Sequence, residues 1–369
     1  MSFFKSVKKT LTVALASIIG LSFSSCEDFF DYEGDCDVIH KVRFVYDLNL
    51  KWADAFPSEV KSVNLYVFDS KGIFVREYSE SGDALSQPGY EITLDLPAGD
   101  YTLLAWCGLH NEGVDSESFT VPSPVVGVTH IEEMTCVMNT TPTPAKSRAD
   151  EPMVYSDRRL QFLYHGLLDV TLEDNHDGKE YIHTVSLTKD TNHIRIILQE
   201  LSSEQGLNED DYEIYIEDAD GRIAYNNDLI GSQIVHFSPW SQVTDAVGVG
   251  RVEAGGIKYV NGLVADLSVG RMMASRQNDM MLTIRNAHTH SDIIARVPLI
   301  QYALLSRTYY EMAYGHTMTP QEFLDREDEY VLTFFLYNQT WMGAYIDILS
   351  WRIVLGNYDM TSYSFWDKN

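Results

Sequence analysis

The stretch KVRFVYDLNLKW, residues 41–52, decides the fold class. Val42, Phe44, Tyr46, Leu48, Leu50 and Trp52 fall on one face of an extended chain, and Lys41, Arg43, Asp47, Asn49 and Lys51 on the other. That two-residue period is the mark of a half-buried strand. Just downstream, VNLYVFDSKGIFVREY (63–78) reads as two strands about the turn Asp69-Ser70-Lys71-Gly72, where Gly72 can take a positive φ. YEITLDLPAGDYTLLAW (90–106) repeats the pattern: Tyr90, Ile92, Leu94 and Leu96 alternate with Glu91, Thr93 and Asp95, and Pro97-Ala98-Gly99 turns the chain into a strand over Tyr101 to Trp106. Short strands at this spacing, separated by turn residues, predict an antiparallel β-sandwich over residues 38–140.

The pattern breaks at NTTPTPAKSRADEPM, residues 139–153, where three prolines and small polar residues carry no apolar period. This predicts a linker over 141–155. Beyond it Leu168, Val170 and Leu172 alternate with Asp169, Thr171 and Glu173, and Ile194, Ile196 and Leu198 share a face. Asp177-Gly178 and Asp220-Gly221 read as hairpin turns. One helix is expected, with Thr319 as N-cap, Pro320 at its first position and Glu322 completing a capping box. The chain closes in strand-like stretches, YVLTFFLY (330–337) and AYIDILSWRIVLG (344–356). The expected fold is mainly β, with a second and larger β-sandwich domain over 156–369 in tandem with the first.

At the N-terminus, Lys5, Lys8 and Lys9 precede an apolar run from Leu11 to Phe23 that is short for a membrane span, the pattern of an export signal over residues 1–25. Phe23-Ser24-Ser25-Cys26 resembles a lipoprotein box, with Phe23 where Leu is usual. Small residues there give a peptidase access, and the Cys26 sulfur is the expected site of lipidation. An ordinary signal peptide cut near Ser25 is the plainer alternative. Residues 26–37, in which EDFFDYEGDCD carries six acids, read as an acidic tether. Acyl chains on Cys26 would bind membrane by burial of about 0.8 kcal/mol per methylene.

Removing residues 1–25 leaves 344 residues with 24 basic against 54 acidic side chains, a formal charge of about −30. Such a surface repels nucleic acid and anionic membrane, so no nucleic-acid partner is expected. The length exceeds what one core usually serves. Besides Cys26 there are Cys36, Cys107 and Cys136, and in an exported chain one disulfide among these three is expected, the pair being open. No spacing of Cys and His suggests zinc.

Other candidate chemistry is weak. His288 and His290 with Asp292 place two imidazoles on one strand face, but no third ligand stands at a recognisable spacing, and a solvated loop is the favoured reading. Asp218-Ala219-Asp220-Gly221 has Ile216 where a calcium loop needs its first ligand and Asn227 where it needs its last, so a turn is favoured. Acid pairs such as Glu132-Glu133 arise by chance among 54 acids. No nucleophile elbow, P-loop or H-E-x-x-H motif occurs, so no catalytic residue, cofactor or metal is expected and the chain reads as a non-enzyme.

Several segments together resemble the FimB-like minor fimbrial subunits, the anchor lipoproteins of the pili called type V. These are CDVIHKVRFVYDLNLKWADAF (36–56), VKSVNLYVFDSKGIFV (60–75), LDLPAGDYTLLAWCGL (94–109), LTKDTNHIRIILQ (187–199) and IDILSWRIVL (346–355). The resemblance implies two transthyretin-like, Greek-key sandwiches and a lipidated cysteine carried over to Cys26. It also implies that Glu27 and Asp28 act as a signal for sorting to the outer face of the outer membrane. The implied role is an anchor subunit that seats a pilus and limits its length, with pilus shaft subunits as partners and strand addition at an unpaired sheet edge as the mode of assembly. Shaft subunits of related pili are cut after an arginine; the nearest candidate, Arg148, lies in the expected linker, which favours an anchor over a shaft subunit. The rival reading is a surface lipoprotein binding glycan or a host ligand through aromatics such as Trp240 or Trp341, for each of which a core position is favoured.

Overall fold

The computed structural model describes residues 38–110, 116–142, 153–174, 178–201, 207–231, 233–251, 257–348 and 351–356. Cys26, Cys36, the tether, Arg148 and Asp177 lie outside the described residues. In chain order the first strands are β1 (Ile39–Val45), β2 (Ser62–Asp69), β3 (Phe74–Ser81), β4 (Glu91–Leu94) and β5 (Gly99–Cys107). Then come β6 (Phe119–Thr120), β7 (Thr135–Met138), β8 (Thr141–Pro142) and β9 (Met153–Ser156). β10 (Tyr164–Leu172), β11 (Glu180–Ser186), β12 (Thr188–Lys189), β13 (Asn192–Glu200), β14 (Tyr212–Asp218), β15 (Arg222–Ala224) and β16 (Ile234–Phe237) follow. The remainder is β17 (Ser241–Arg251), β18 (Ile257–Val269), β19 (Met281–Asn286), β20 (Asp292–Pro298), β21 (Glu329–Tyr337), β22 (Thr340–Ile348) and β23 (Trp351–Gly356). Among the described residues four α-helices punctuate them: α1 (Phe56–Glu59), α2 (Leu299–Leu305), α3 (Arg307–Tyr314) and α4 (Pro320–Arg326).

The fold is mainly β, as the alternating segments imply. The first sandwich packs a three-stranded sheet, β11-β1-β4, on a five-stranded one, β12-β10-β5-β2-β3. Val42, Phe44 and Tyr46 of β1 meet Val63, Leu65 and Val67 of β2 and Leu103, Ala105 and Cys107 of β5 between the sheets. The other face of the five-stranded sheet is buried too. Tyr66, Phe68, Leu104 and Trp106 join a second cluster with Phe119, Cys136 and Met138, and that cluster continues without a break into the core of the second sandwich. Burial on both faces explains why β2 is buried from Ser62 to Phe68 and carries the unbroken run Leu65-Tyr66-Val67-Phe68 instead of an alternation. The second sandwich is built from two six-stranded sheets, β17-β18-β13-β21-β22-β23 and β20-β19-β14-β16-β9-β8, with the small sheet β15-β7-β6 set against the first sandwich.

Pairing corrects the expected division at 141–155. β10 lies along the whole of β5, from Tyr164 opposite Cys107 to Leu172 opposite Gly99, and β11 runs parallel to β1. The first sandwich therefore takes residues up to Lys189, although they follow the expected linker. Residues 143–152 of that linker lie outside the described residues; the strands on either side of them, β8 and β9, pair antiparallel with each other in the second sandwich. The passage from β12 into β13 at Asp190, Thr191 and Asn192 is buried, unlike an exposed tether.

Other local expectations divide. The β2–β3 hairpin forms as read, with Gly72 at φ 75°. The alternation from Val42 stops at Tyr46: Asn49 is buried where an exposed residue was expected, and Trp52 is exposed at φ 52°. Asn49 turns inward because its amide donates to the Tyr46 and Ala53 carbonyls, at 2.9 and 2.8 Å, closing a loop. The hairpin expected at Asp220-Gly221 does not form, since β14 and β15 belong to different sheets; β10 and β11, the strands before and after Asp177, also belong to different sheets. The expected helix is α4, with the Thr319 hydroxyl accepting from the Glu322 amide at 3.1 Å. The Glu322 carboxylate turns to Arg326 Nε at 3.0 Å. Cys107 and Cys136 are buried free thiols in separate clusters, so no disulfide joins those two.

Candidate functional site

Strand addition needs an edge whose backbone groups have no strand partner. Several edges are protected. β3 carries Arg76, Glu77 and Glu80, and its start at Phe74 is covered by bonds to Gly127 and Thr129. β20 ends in Pro298 and is broken by bulges. β17 is overlain by residues 207–212, since Gln242 Nε2 donates to the Glu209 and Tyr212 carbonyls, at 2.8 and 3.0 Å, and Thr244 Oγ1 to the Leu207 carbonyl at 2.6 Å.

The edge at β23 is different. This six-residue strand, WRIVLG, carries a single charge at Arg352 and closes one end of a six-stranded sheet. It pairs antiparallel with β22, from Gly343 opposite Gly356 to Ile348 opposite Trp351, and no strand covers its outer side among the described residues. An apolar edge strand with a single charge of its own is suited to take another strand. The segment IDILSWRIVLG thus ends β22 and supplies all of β23.

A dense polar junction ties the two sandwiches together. Lys189, whose side chain is 3% exposed, places Nζ 3.4 Å from Glu59 Oε2 of the first sandwich and against Asp328 Oδ2, next to β21 of the second. Its ammonium also stands 3.5 Å from the centre of the Phe162 ring. Tyr164 donates to the same Glu59 oxygen at 3.2 Å. Burial pushes the Glu59 carboxyl up, yet Lys189, Lys51 and Tyr164 outweigh it and leave the group below the usual carboxylate range. A few residues away, Asp190 accepts from Asn227 Nδ2 at 3.1 Å and lies 3.7 Å from Nε of Arg271, whose Nη2 pairs with Asp325 at 3.0 Å. Burial raises the Asp190 carboxyl to about 7, the Arg271 charge opposing it, and burial raises Glu327 to about 7 as well. Arg326 of α4 stacks 3.9 Å from the centre of the Trp52 ring and donates to the Asp47 carbonyl at 3.1 Å. These contacts cross between bodies that already share an apolar core.

The candidate residues read from the sequence do not converge. His288 and His290 sit exposed at the β19–β20 turn and face different acids, Asp211 at 2.9 Å and Glu213 at 3.3 Å. Asp218 and Asp220 are buried: Asp218 pairs with Arg276 at 3.4 Å, and Asp220 Oδ2 accepts from the Gly270 amide at 2.9 Å. Glu133 closes the cap of a short turn of helix with His130. Among the described residues no three His, Cys, Asp or Glu side chains gather as a metal site, and no helix is long and apolar enough to cross a membrane. Trp240 is half-buried, 5.5 Å from Arg159 and 5.8 Å from the His193 ring, while Trp341 packs on the core. Nothing in the sequence around Lys189, a polar stretch Thr188-Lys189-Asp190, signals the junction.

Sheets stacked on shared cores and a polar junction between them define a mainly β protein of two packed sandwiches. The chain belongs to the family of fimbrillin-A associated anchor proteins Mfa1 and Mfa2, whose model matches residues 32–357. Membership makes it a pilus-associated accessory protein of the cell surface. Among solved structures it is similar to a candidate adhesin from Bacteroides thetaiotaomicron, at 28% identity and a TM-score of 0.71 over 86% of this chain and 97% of that one. The fimbrial anchor protein Mfa2 from Porphyromonas gingivalis shares the fold at 16% identity and a TM-score of 0.59, over 88% of this chain and 100% of that one. A candidate polysaccharide-binding protein from B. thetaiotaomicron shares it at 23% identity and a TM-score of 0.67, over 87% and 99%. No curated protein sequence matches the chain.

Proposed function

We propose that the chain is a non-catalytic anchor subunit: a lipoprotein held in the outer membrane by acylated Cys26, exposed at the cell surface, that seats a pilus and limits its length. Shaft subunits engage it by strand addition at the outer side of β23. The observation that carries this reading is the family match across residues 32–357, which spans both sandwiches. The low charge of β23, and an outer side that no strand covers among the described residues, support the choice of edge. Glycan binding has less behind it. Trp240 and Trp341 are not open platforms, and the ring of exposed Trp52 is taken up by Arg326 at 3.9 Å and His316 at 4.6 Å.

The test compares deletion of the gene with a chain ending before Trp351. Deletion should leave fibres that polymerise but are shed into the medium or grow abnormally long. The shortened chain keeps the pairing of β21 with β22, so it should fold and reach the surface yet fail to retain pili. Normal piliation in the deletion strain, with no related gene present, would defeat the anchor reading; normal retention by the shortened chain would move the docking edge elsewhere.

A further inference from the structure

Three of the most exposed apolar side chains among the described residues stand together: Val125, Val126 and Val128 are 57, 65 and 69% exposed. They form the tip of a loop in a stretch, Ser118 to Thr129, that contains no charged residue although the chain carries 81. Pro122 and Pro124 stiffen its approach. Four of its tip amides are already satisfied. Val125 donates to Thr129 Oγ1 at 2.8 Å, Gly127 to the Phe74 carbonyl at 2.9 Å, and Val128 and Thr129 to the Val125 carbonyl at 3.1 and 3.0 Å. Gly127, at φ 74°, has no atom within 4 Å of where a Cβ would stand, so the tip faces open space.

The place of this loop is fixed by pairing. Phe74 donates back to the Thr129 carbonyl at 2.9 Å, which pins the loop to the start of β3. Phe74 lies opposite Phe68, and Asp69 opposite Tyr101, so this is the end of the sandwich where β2 finishes and β5 begins. At the same end β10 finishes, with Leu172 opposite Gly99, and β4 finishes with Leu94 opposite His40. Ile39, the first residue of β1, therefore stands at the valine-loop end, and its amide donates to the Lys179 carbonyl at 3.1 Å. The chain enters the fold there. Cys26 is 12 residues before Val38, a span of at most about 43 Å at full extension.

We infer that the loop Val121–Thr129 is a membrane-contact element: its valine tip inserts into the apolar layer of the lipid surface that holds Cys26, and turns that end of the first sandwich toward the bilayer. The inference rests on the acylated-anchor reading. Insertion of an irregular loop into lipid is costly when its amides lack partners, and here four amides of the tip donate within the protein. Contact is apolar in origin: at the same end Asp95 is paired with Arg76 at 3.2 Å, and exposed Glu132 beside the loop would be repelled by anionic headgroups. A protein partner on the valines would need no tether nearby; a lipid surface does.

The experiment uses the full acylated chain, purified from membranes and reconstituted in phosphatidylcholine vesicles whose acyl chains carry bromine, a short-range quencher of tryptophan. Val126→Trp places a fluorophore at the open tip, and Leu201→Trp, at an exposed site of the second sandwich, is the control. The emission added by Val126→Trp should be largely lost in brominated vesicles and that of Leu201→Trp retained, and anionic lipid should weaken the loss. If the protein floats with the vesicles but Val126→Trp is no more quenched than Leu201→Trp, the inference falls and lipid anchoring stands. If the protein does not float, the acyl anchor falls and the inference with it.

Discussion

Lys189→Met would test whether the two sandwiches are bolted or merely adjacent. Methionine keeps the unbranched stem and removes the ammonium, so packing changes little while Glu59 and Asp328 lose their shared cation. Removing one partner of a buried ion pair costs about 3–5 kcal/mol when the orphan stays dry. Here Glu59 and Asp328 are 19 and 30% exposed in their side chains, so water recovers part of that, and a loss of about 2–3 kcal/mol remains. The contact with the Phe162 ring goes too. Urea unfolding near pH 7.5, followed by tryptophan fluorescence and by circular dichroism, should show the lower midpoint. The double variant with Glu59→Gln should cost less than the sum of the single ones, because the second change removes one of the orphaned charges. A loss below about 0.5 kcal/mol, the range of ordinary surface changes, would show that the charges are solvated and that apolar contact alone joins the bodies.

Two further outcomes are expected. The Asp190 carboxyl is raised from 3.8 to about 7 by burial, so the folded chain keeps a proton that the unfolded chain releases, and the stability from that proton, complete below about 3.8, is lost as pH rises to 7. Asp190→Asn, permanently neutral, should gain on the parent across that window by on the order of 4 kcal/mol in urea midpoints converted to free energy; a difference independent of pH would show that the group does not titrate there. Cys26→Ser should abolish incorporation of labelled fatty acid and release the protein from the membrane fraction, and unchanged labelling would sink the lipoprotein reading.

Strand character was legible wherever one face meets solvent. Ile194, Ile196 and Leu198 alternate on β13 and are all fully buried, and the β2–β3 hairpin follows from Gly72. Partnership was not legible, because a strand's period does not say which sheet receives it. β10 and β11 read as parts of a second domain and return to the first. Proline and threonine at 140–144 signal a loop, and a loop signal does not separate a connection within one sandwich from a boundary, as the pairing of β8 with β9 shows. The helices α2 and α3 went unread, although Leu299, Ile300, Tyr302 and Ala303 have the one, three and four spacing of a helical face and Gly315 ends α3 in the left-handed region. The junction was hidden for a further reason: Glu59, Lys189 and Asp328 are far apart in the chain and meet only once both sandwiches have formed.

The route of force through the molecule links these features. Under the anchor reading, a pull on the pilus is resisted at Cys26 and enters the fold at Ile39. β1 is the central strand of its sheet, paired over Ile39–Val45 with β11 and over His40–Arg43 with β4. Tension applied at its first residue and directed along the strand stresses these ladder bonds together, whereas an edge strand peeled sideways would lose them one at a time. Force must then pass to the sheet that ends in β23. A flexible linker would let the sandwiches swing apart, but the chain crosses at buried Asp190–Asn192, between Lys189 with its two carboxylates and the Arg271 cluster. The same Lys189 lies beside β13, which pairs with β21, which pairs with β22, which pairs with β23. An unbroken series of paired strands and buried ion pairs thus runs from the tethered end to the open edge, so weakening the junction should compromise retention of pili before it compromises the folding of either sandwich.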